Sequence, residues 1–162
     1  MPRPDAVAEV ARGWLRRGAA DLGAASTLLA NREATAPWIV TFHAQQAVEK
    51  HLKAALVVEQ VPHPRTHELE RLSPLLPADW GLPDQATLAA LSLYAVAGRY
   101  PVDDLDAGQE PTWTDAEEAI GLAQRIRQQV LAGFRARGVG ASGVDASDTP
   151  APSDGEEAGQ AR

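Results

Sequence analysis

Apolar residues recur at helical spacing along most of the chain, and five segments carry the pattern. Over residues 5–30, Val7, Trp14, Leu15, Leu22, Leu28 and Leu29 mark one long amphipathic helix with alanine between them. Gly13, Gly18 and Gly23 interrupt it; each costs up to about 1 kcal/mol relative to alanine in a helix interior, so a close neighbour or a locally loose helix is expected there. Asn31 and Arg32 end this helix. Thr35 followed by Pro37 predicts the start of a second, and Ile39, Phe42, Val48, Leu52 and Leu56 carry it to about residue 60, where Pro62 and Pro64 stop it.

A short third helix is predicted from an N-cap at Thr66, with Glu68 in its first turn, Leu69, Leu72 and Leu76 on one face, and Pro74 shortening it. After the loop LPADWGLPD comes a fourth, over about residues 84–97, carrying Leu88, Leu91 and Tyr94, with Gly98 as terminator. The connection RYPVDDLDAGQEPTW is long for a compact domain, a length usually associated with function or disorder. Thr114 and Glu117 predict a capping box for the fifth helix, which carries Ala116, Ile120, Ala123, Ile126, Val130 and Phe134. No alternating Val/Ile/Thr run predicts a strand. The expected fold is all-α, a five-helix up-and-down-like bundle with three long helices and two short ones, over residues 5–137. Residues 138–162 are small, polar and acidic, and are expected to form a disordered tail.

Composition narrows the setting. At 162 residues and 44% hydrophobic, the chain suits one domain with a sizeable core. Fifteen basic against 22 acidic residues give a net charge of -7, which argues against general affinity for duplex nucleic acid while leaving room for a local cationic groove. The absence of cysteine removes thiolate metal sites and thiol nucleophiles and fits a reducing compartment. No apolar run is long enough for a membrane span and the first residues lack a signal-peptide pattern, so a soluble, cytoplasmic protein is expected.

Residues 38–53, WIVTFHAQQAVEKHLK, concentrate the candidate chemistry. Counted from Phe42, Gln46, Glu49 and Lys53 fall at i+4, i+7 and i+11, an amide, a carboxylate and an ammonium on one stripe. Such a stripe needs polar partners or a ligand, because leaving a polar group buried and uncompensated costs about 2 kcal/mol or more. It suits a base edge and a phosphate; the plainer reading is an ordinary i,i+4 ion pair of Glu49 with Lys53. Arg99 with Tyr100 offers a guanidinium fork and an aromatic platform, against the plainer pairing of Arg99 with Asp103 or Asp104. His67 stands at a helix start, where capping or packing is commoner than catalysis. His63 and His67 lack a third ligand nearby, and His43 and His51 lie too far apart along one helix to share an ion, so neither metal nor cofactor is expected.

Several motifs resemble the HEPN domain, the higher-eukaryote and prokaryote nucleotide-binding family. They are Trp14 with Ala19, Asp21 and Leu22; the run FHAQQAVEK from Phe42 to Lys50 with Lys53 and Ala54; Thr66-His67-Glu68-Leu69; and Arg99-Tyr100-Pro101 ahead of Thr114. The resemblance covers roughly residues 8–135. It implies a homodimer packed through the long helices, nucleotide or RNA binding, and a minimal nucleotidyltransferase as the kind of partner often encoded alongside. Many members resemble one another in an arginine followed, after a few polar residues, by a histidine that serves metal-independent RNA cleavage. Here Arg99 is followed by YPVDDLDAG with no histidine downstream, and Arg65 precedes His67 too closely. The reading that follows is a dimeric, non-enzymatic module binding ligand through Gln46, Glu49, Lys53, Arg99 and Tyr100. The alternative is a ribonuclease toxin of a toxin–antitoxin pair with a non-standard site built from Arg99 and His67 or His43.

Overall fold

The computed structural model describes residues 4–97 and 110–141. Five α-helices carry the fold: α1 (Pro4–Ala30), α2 (Pro37–Val58), α3 (Leu69–Leu72), α4 (Gln85–Ala97) and α5 (Trp113–Ala136), with single 3-10 turns at Arg32–Ala34, Ser73–Leu75 and Ala78–Trp80. The described residues contain no strand. The expected division into three long and two short helices holds.

The short link after α1 returns the chain as an antiparallel neighbour. Asp21 of α1 therefore meets His43 and Lys50, while Trp14 lies against Lys53. Helix α5 runs parallel to α2: Glu117 near its start pairs with Arg32, and Arg137 just past its end pairs with Glu59. Sandwiched between α1 and α5, α2 is buried around most of its circumference. Val40, Ala44, Ala47, Val48, Leu52, Ala54, Ala55 and Leu56 are all fully buried, and its alanines let the neighbouring backbones approach. Leu15, Leu69, Leu72, Leu88, Ile126 and Phe134 complete the core. Val139 and Ala141 also pack on that core.

Three helix starts differ from expectation, each for a local reason. Helix α2 has Pro37 at its first position as predicted, but its N-cap is Ala36 without a side-chain hydrogen bond. The Thr35 hydroxyl is instead buried without a partner. Helix α3 begins only at Leu69 with Glu68 as N-cap; Thr66 Oγ1 accepts from the Glu68 amide at 3.1 Å, closing a turn ahead of the helix. Pro74 belongs to the 3-10 turn that follows Leu72. The capping box of α5 is built by Thr112 and Asp115, two residues earlier than predicted from Thr114 and Glu117. Both pairs satisfy the same spacing, and Glu117 is engaged by Arg32 instead.

Trp80, only 2% exposed, ties the 3-10 turn to two long helices. Its Nε1–H donates to Glu59 at 2.8 Å, and the Arg137 guanidinium lies 4.3 Å above its ring. Arg137 also holds both Asp79 oxygens, at 3.0 and 3.1 Å. Gly133 makes the space, since a Cβ there would press into the six-membered part of the Trp80 indole. Gly133→Ala is therefore expected to destabilise by about 2 kcal/mol, the overpacking cost exceeding the gain in helix propensity of up to about 1 kcal/mol. Gly23, where an added Cβ would meet nothing within 4 Å, is the control. Gly23→Ala should stabilise by up to about 1 kcal/mol. Urea unfolding of the two variants checks both signs.

Candidate functional site

A helix buried on most sides has to dispose of its polar residues, and α2 carries Gln45, Glu49, His51 and Lys53 inside the bundle, none more than 8% exposed. Glu49 is the centre. Its Oε1 accepts from Lys53 Nζ at 2.6 Å, and its Oε2 accepts from His67 Nδ1 at 2.9 Å. The Gln45 amide donates to the His67 carbonyl at 2.9 Å and reaches Glu49 Oε2 at 3.4 Å, so the connector before α3 is fixed to α2 by both backbone and ring. Lys53 Nζ also stands 5.4 Å from the Trp14 ring centre, a cation over an aromatic face.

Burial alone would push the Glu49 carboxyl up, because desolvation penalises its charge. The hydrogen bonds and charges of Lys53 and His67 outweigh that, and the group sits below its ordinary value of 4.5. It is a buried carboxylate held ionised by two neighbours. Lys53 is closed off at the same time, whereas the His67 side chain is 52% exposed.

A second cluster joins α1 to α2. Asp21 accepts from His43 Nδ1 at 3.0 Å and forms an ion pair with Lys50 through its other oxygen. Gln46 bridges the two clusters: its amide nitrogen donates to Gln45 Oε1 at 2.8 Å, and its oxygen lies 3.5 Å from Lys50 Nζ. The result is one polar chain running from His43, through Asp21, Lys50, Gln46, Gln45 and Glu49, to Lys53 and His67. Both of its histidines are accessible to solvent. Among the described residues, no three His, Asp or Glu side chains are grouped to hold a metal ion.

The HEPN domain matches this sequence over residues 11–132. The chain belongs to the HEPN domain family. This HEPN domain is also similar to the crystal structure of TT1696 from Thermus thermophilus, with 29% identity over 75% of this chain and 96% of that one and a TM-score of 0.63. No curated protein matches it. No helix among the described residues is long and apolar enough to cross a membrane.

Gln46, Glu49, Lys53 and His67 are thus brought together, and His43 stands at the far end of the same network. Arg99 and Tyr100 lie outside the described residues. Reading the stripe from Phe42 singled out Gln46 and passed over Gln45, which is the fully buried amide of the pair. Adjacent residues are rotated by about 100° on a helix, so both border the same carboxylate. The available signal was Gln45 at i−4 from Glu49, the register that actually faces the connector. Asp21 and Lys50 were also missed as site residues; they lie on different helices, and only the antiparallel register pairs them.

Proposed function

We propose that this HEPN domain is a dimeric binding module that holds a nucleotide on the face of α2 bordered by Gln46 and His67, and that its partner is a nucleotidyltransferase. What carries the reading is the closed state of Glu49: a carboxylate 4% exposed, saturated by Lys53 and His67, fixes the surrounding donors without presenting an open reactive group. Half-buried Gln46 supplies an amide suited to a base edge. Lys50 and His43, both paired with Asp21, border the same face. Arg99 supplies a fork for phosphate and Tyr100 a stacking platform, from the connection between α4 and α5.

Calorimetric titration with ATP and GTP tests the proposal. Gln46→Ala and Arg99→Ala should each weaken binding about tenfold, or 1.4 kcal/mol. Undiminished affinity in both variants would sink the reading. Sedimentation tests the dimer separately.

A second reading, RNA cleavage, is favoured by the Glu49–His67 pair. A buried carboxylate accepting from Nδ1–H fixes the tautomer of a ring that is half exposed, the arrangement a general base uses. Incubation with total RNA distinguishes the two: cleavage that disappears in both His67→Ala and Arg99→Ala would put a ribonuclease in place of the binding module.

A further inference from the structure

Helix α4, QATLAALSLYAVA, is apolar nearly all the way round, a composition expected of a helix covered on every side. Its inner face is covered: Leu88 and Leu91 are in the core, and Ser92 Oγ accepts from the Leu69 amide at 2.8 Å. Among the described residues nothing covers its outer face. Leu93 is 68% exposed, the most exposed large apolar side chain among the described residues, and Ala86 and Ala90 lie open on the same side. Between α4 and α5 runs a cavity of about 620 Å³ whose floor is Ala90, Leu91 and Leu122 and whose rim carries Asp115, Glu117 and Glu118, with Arg125 at one end. Glu117 is paired with Arg32, while Glu118 stands exposed beside the opening.

Charge selects the occupant. Residues 1–3 are too few to fill the groove; of the two longer segments outside the described residues, 98–109 holds Asp103, Asp104 and Asp106 against Arg99, a net of -2. Segment 142–162 holds five acids against Arg162, a net of -4. Either would bring like charge to an acidic rim, and a second copy docking groove to groove would set the rim against itself. A basic partner gains where these lose. We propose that the α4–α5 groove is a docking site for a basic amphipathic helix of a partner protein, its apolar residues seated on Leu93, Ala90 and the cavity floor and its lysines or arginines facing Glu118. Helix-in-groove recognition of this kind uses anchors at i, i+3, i+4 and i+7. The inference does not depend on what α2 binds.

The test uses the full chain and a synthetic Leu/Lys helix of about fourteen residues with leucines at those anchor spacings. Two further peptides serve as controls: a Leu/Glu analogue, and a Leu/Lys peptide of the same composition with scrambled leucines. The expected result is saturable binding of the patterned Leu/Lys peptide, with amide shifts confined to residues 86–94 and 115–125. Leu93→Asp, Ala90→Trp and Glu118→Lys should each weaken it about tenfold or more. All three positions are exposed, so circular dichroism should show the fold intact. Equal binding of the scrambled peptide, unchanged affinity in Leu93→Asp and Ala90→Trp, or shifts mapping elsewhere would each overturn the proposal.

Discussion

Replacing Lys53 by methionine is expected to destabilise the protein by about 3 kcal/mol or more at neutral pH, the cost of removing one partner from a buried ion pair. Methionine preserves the apolar stem but leaves the Glu49 carboxylate, 4% exposed, with His67 and Gln45 as its remaining partners. The cation over the Trp14 ring is lost as well. The pH dependence should change sign with it. In the wild type, Glu49 titrates below its ordinary value of 4.5, so its contribution is present above that pH and is lost as pH falls through the folded value. In Lys53→Met, desolvation has lost its main opponent and pushes the carboxyl up, so the deficit should shrink on acidification and be largest near neutrality. Urea midpoints at fixed protein concentration and several pH values measure both. A Glu49→Leu, Lys53→Met double variant should recover most of the loss, since a buried pair can often be replaced by apolar residues at little net cost. A double variant no more stable than Lys53→Met alone would show that the network, rather than the uncompensated charge, sets the penalty.

The same network shows what the sequence could and could not reveal. Long periodic segments were legible: helix α1 was expected over residues 5–30 and spans Pro4–Ala30, because its apolar repeat is strong and its ends lie in breaker residues. Caps were less so. Thr35, Thr66 and Thr114 all have the right chemistry for N-caps, but tertiary contacts decide which hydroxyl meets which amide, and Thr112 with Asp115 fits the α5 entry while Arg32 draws Glu117 away. The polar stripe on α2 was recognisable because Gln46, Glu49 and Lys53 break an apolar pattern. Its partners were not recognisable. Asp21 is far from Lys50 in the chain and His67 is 18 residues from Glu49; only the antiparallel register of α1 and α2, and the return of the connector, make them neighbours. The glycines of α1 divide in the same way. Gly18 is required by what packs on it and Gly23 is not, a distinction that exists only in three dimensions.

What packs on Gly18 is His51, and this residue should dominate the acid sensitivity of the fold. Its ring is fully buried; Nδ1–H donates to the Ala47 carbonyl at 2.6 Å, and Nε2 has no hydrogen-bond partner. Desolvation therefore drives its pKa from 6.5 down to about 4, with the charge of Arg127 adding to the shift and the Ala47 hydrogen bond and Asp21 opposing it. Above pH 6.5 the imidazole is neutral in both states and contributes no pH dependence. Between there and about 4 the unfolded chain takes up a proton that the folded one refuses, so stability falls with pH, by about 3 kcal/mol in all at 1.36 kcal/mol per pH unit. His51→Leu should abolish that decline and leave the later loss below about pH 4.5, where carboxylates held low in the fold, Glu49 among them, are protonated first in the unfolded chain. Urea midpoints at about pH 7, 6, 5 and 4 separate the two windows, and an unchanged slope across the upper one in the variant would remove His51 as the cause. Gly18 supplies an independent check on the same contact. A Cβ there would lie 2.7 Å from the His51 ring, so Gly18→Ala should cost about 1–3 kcal/mol in the wild type. In a His51→Ala background the ring clash is gone and only the Ala47 carbonyl, 3.1 Å from the added methyl, still resists it, so the two substitutions should show a coupling of about 1 kcal/mol or more.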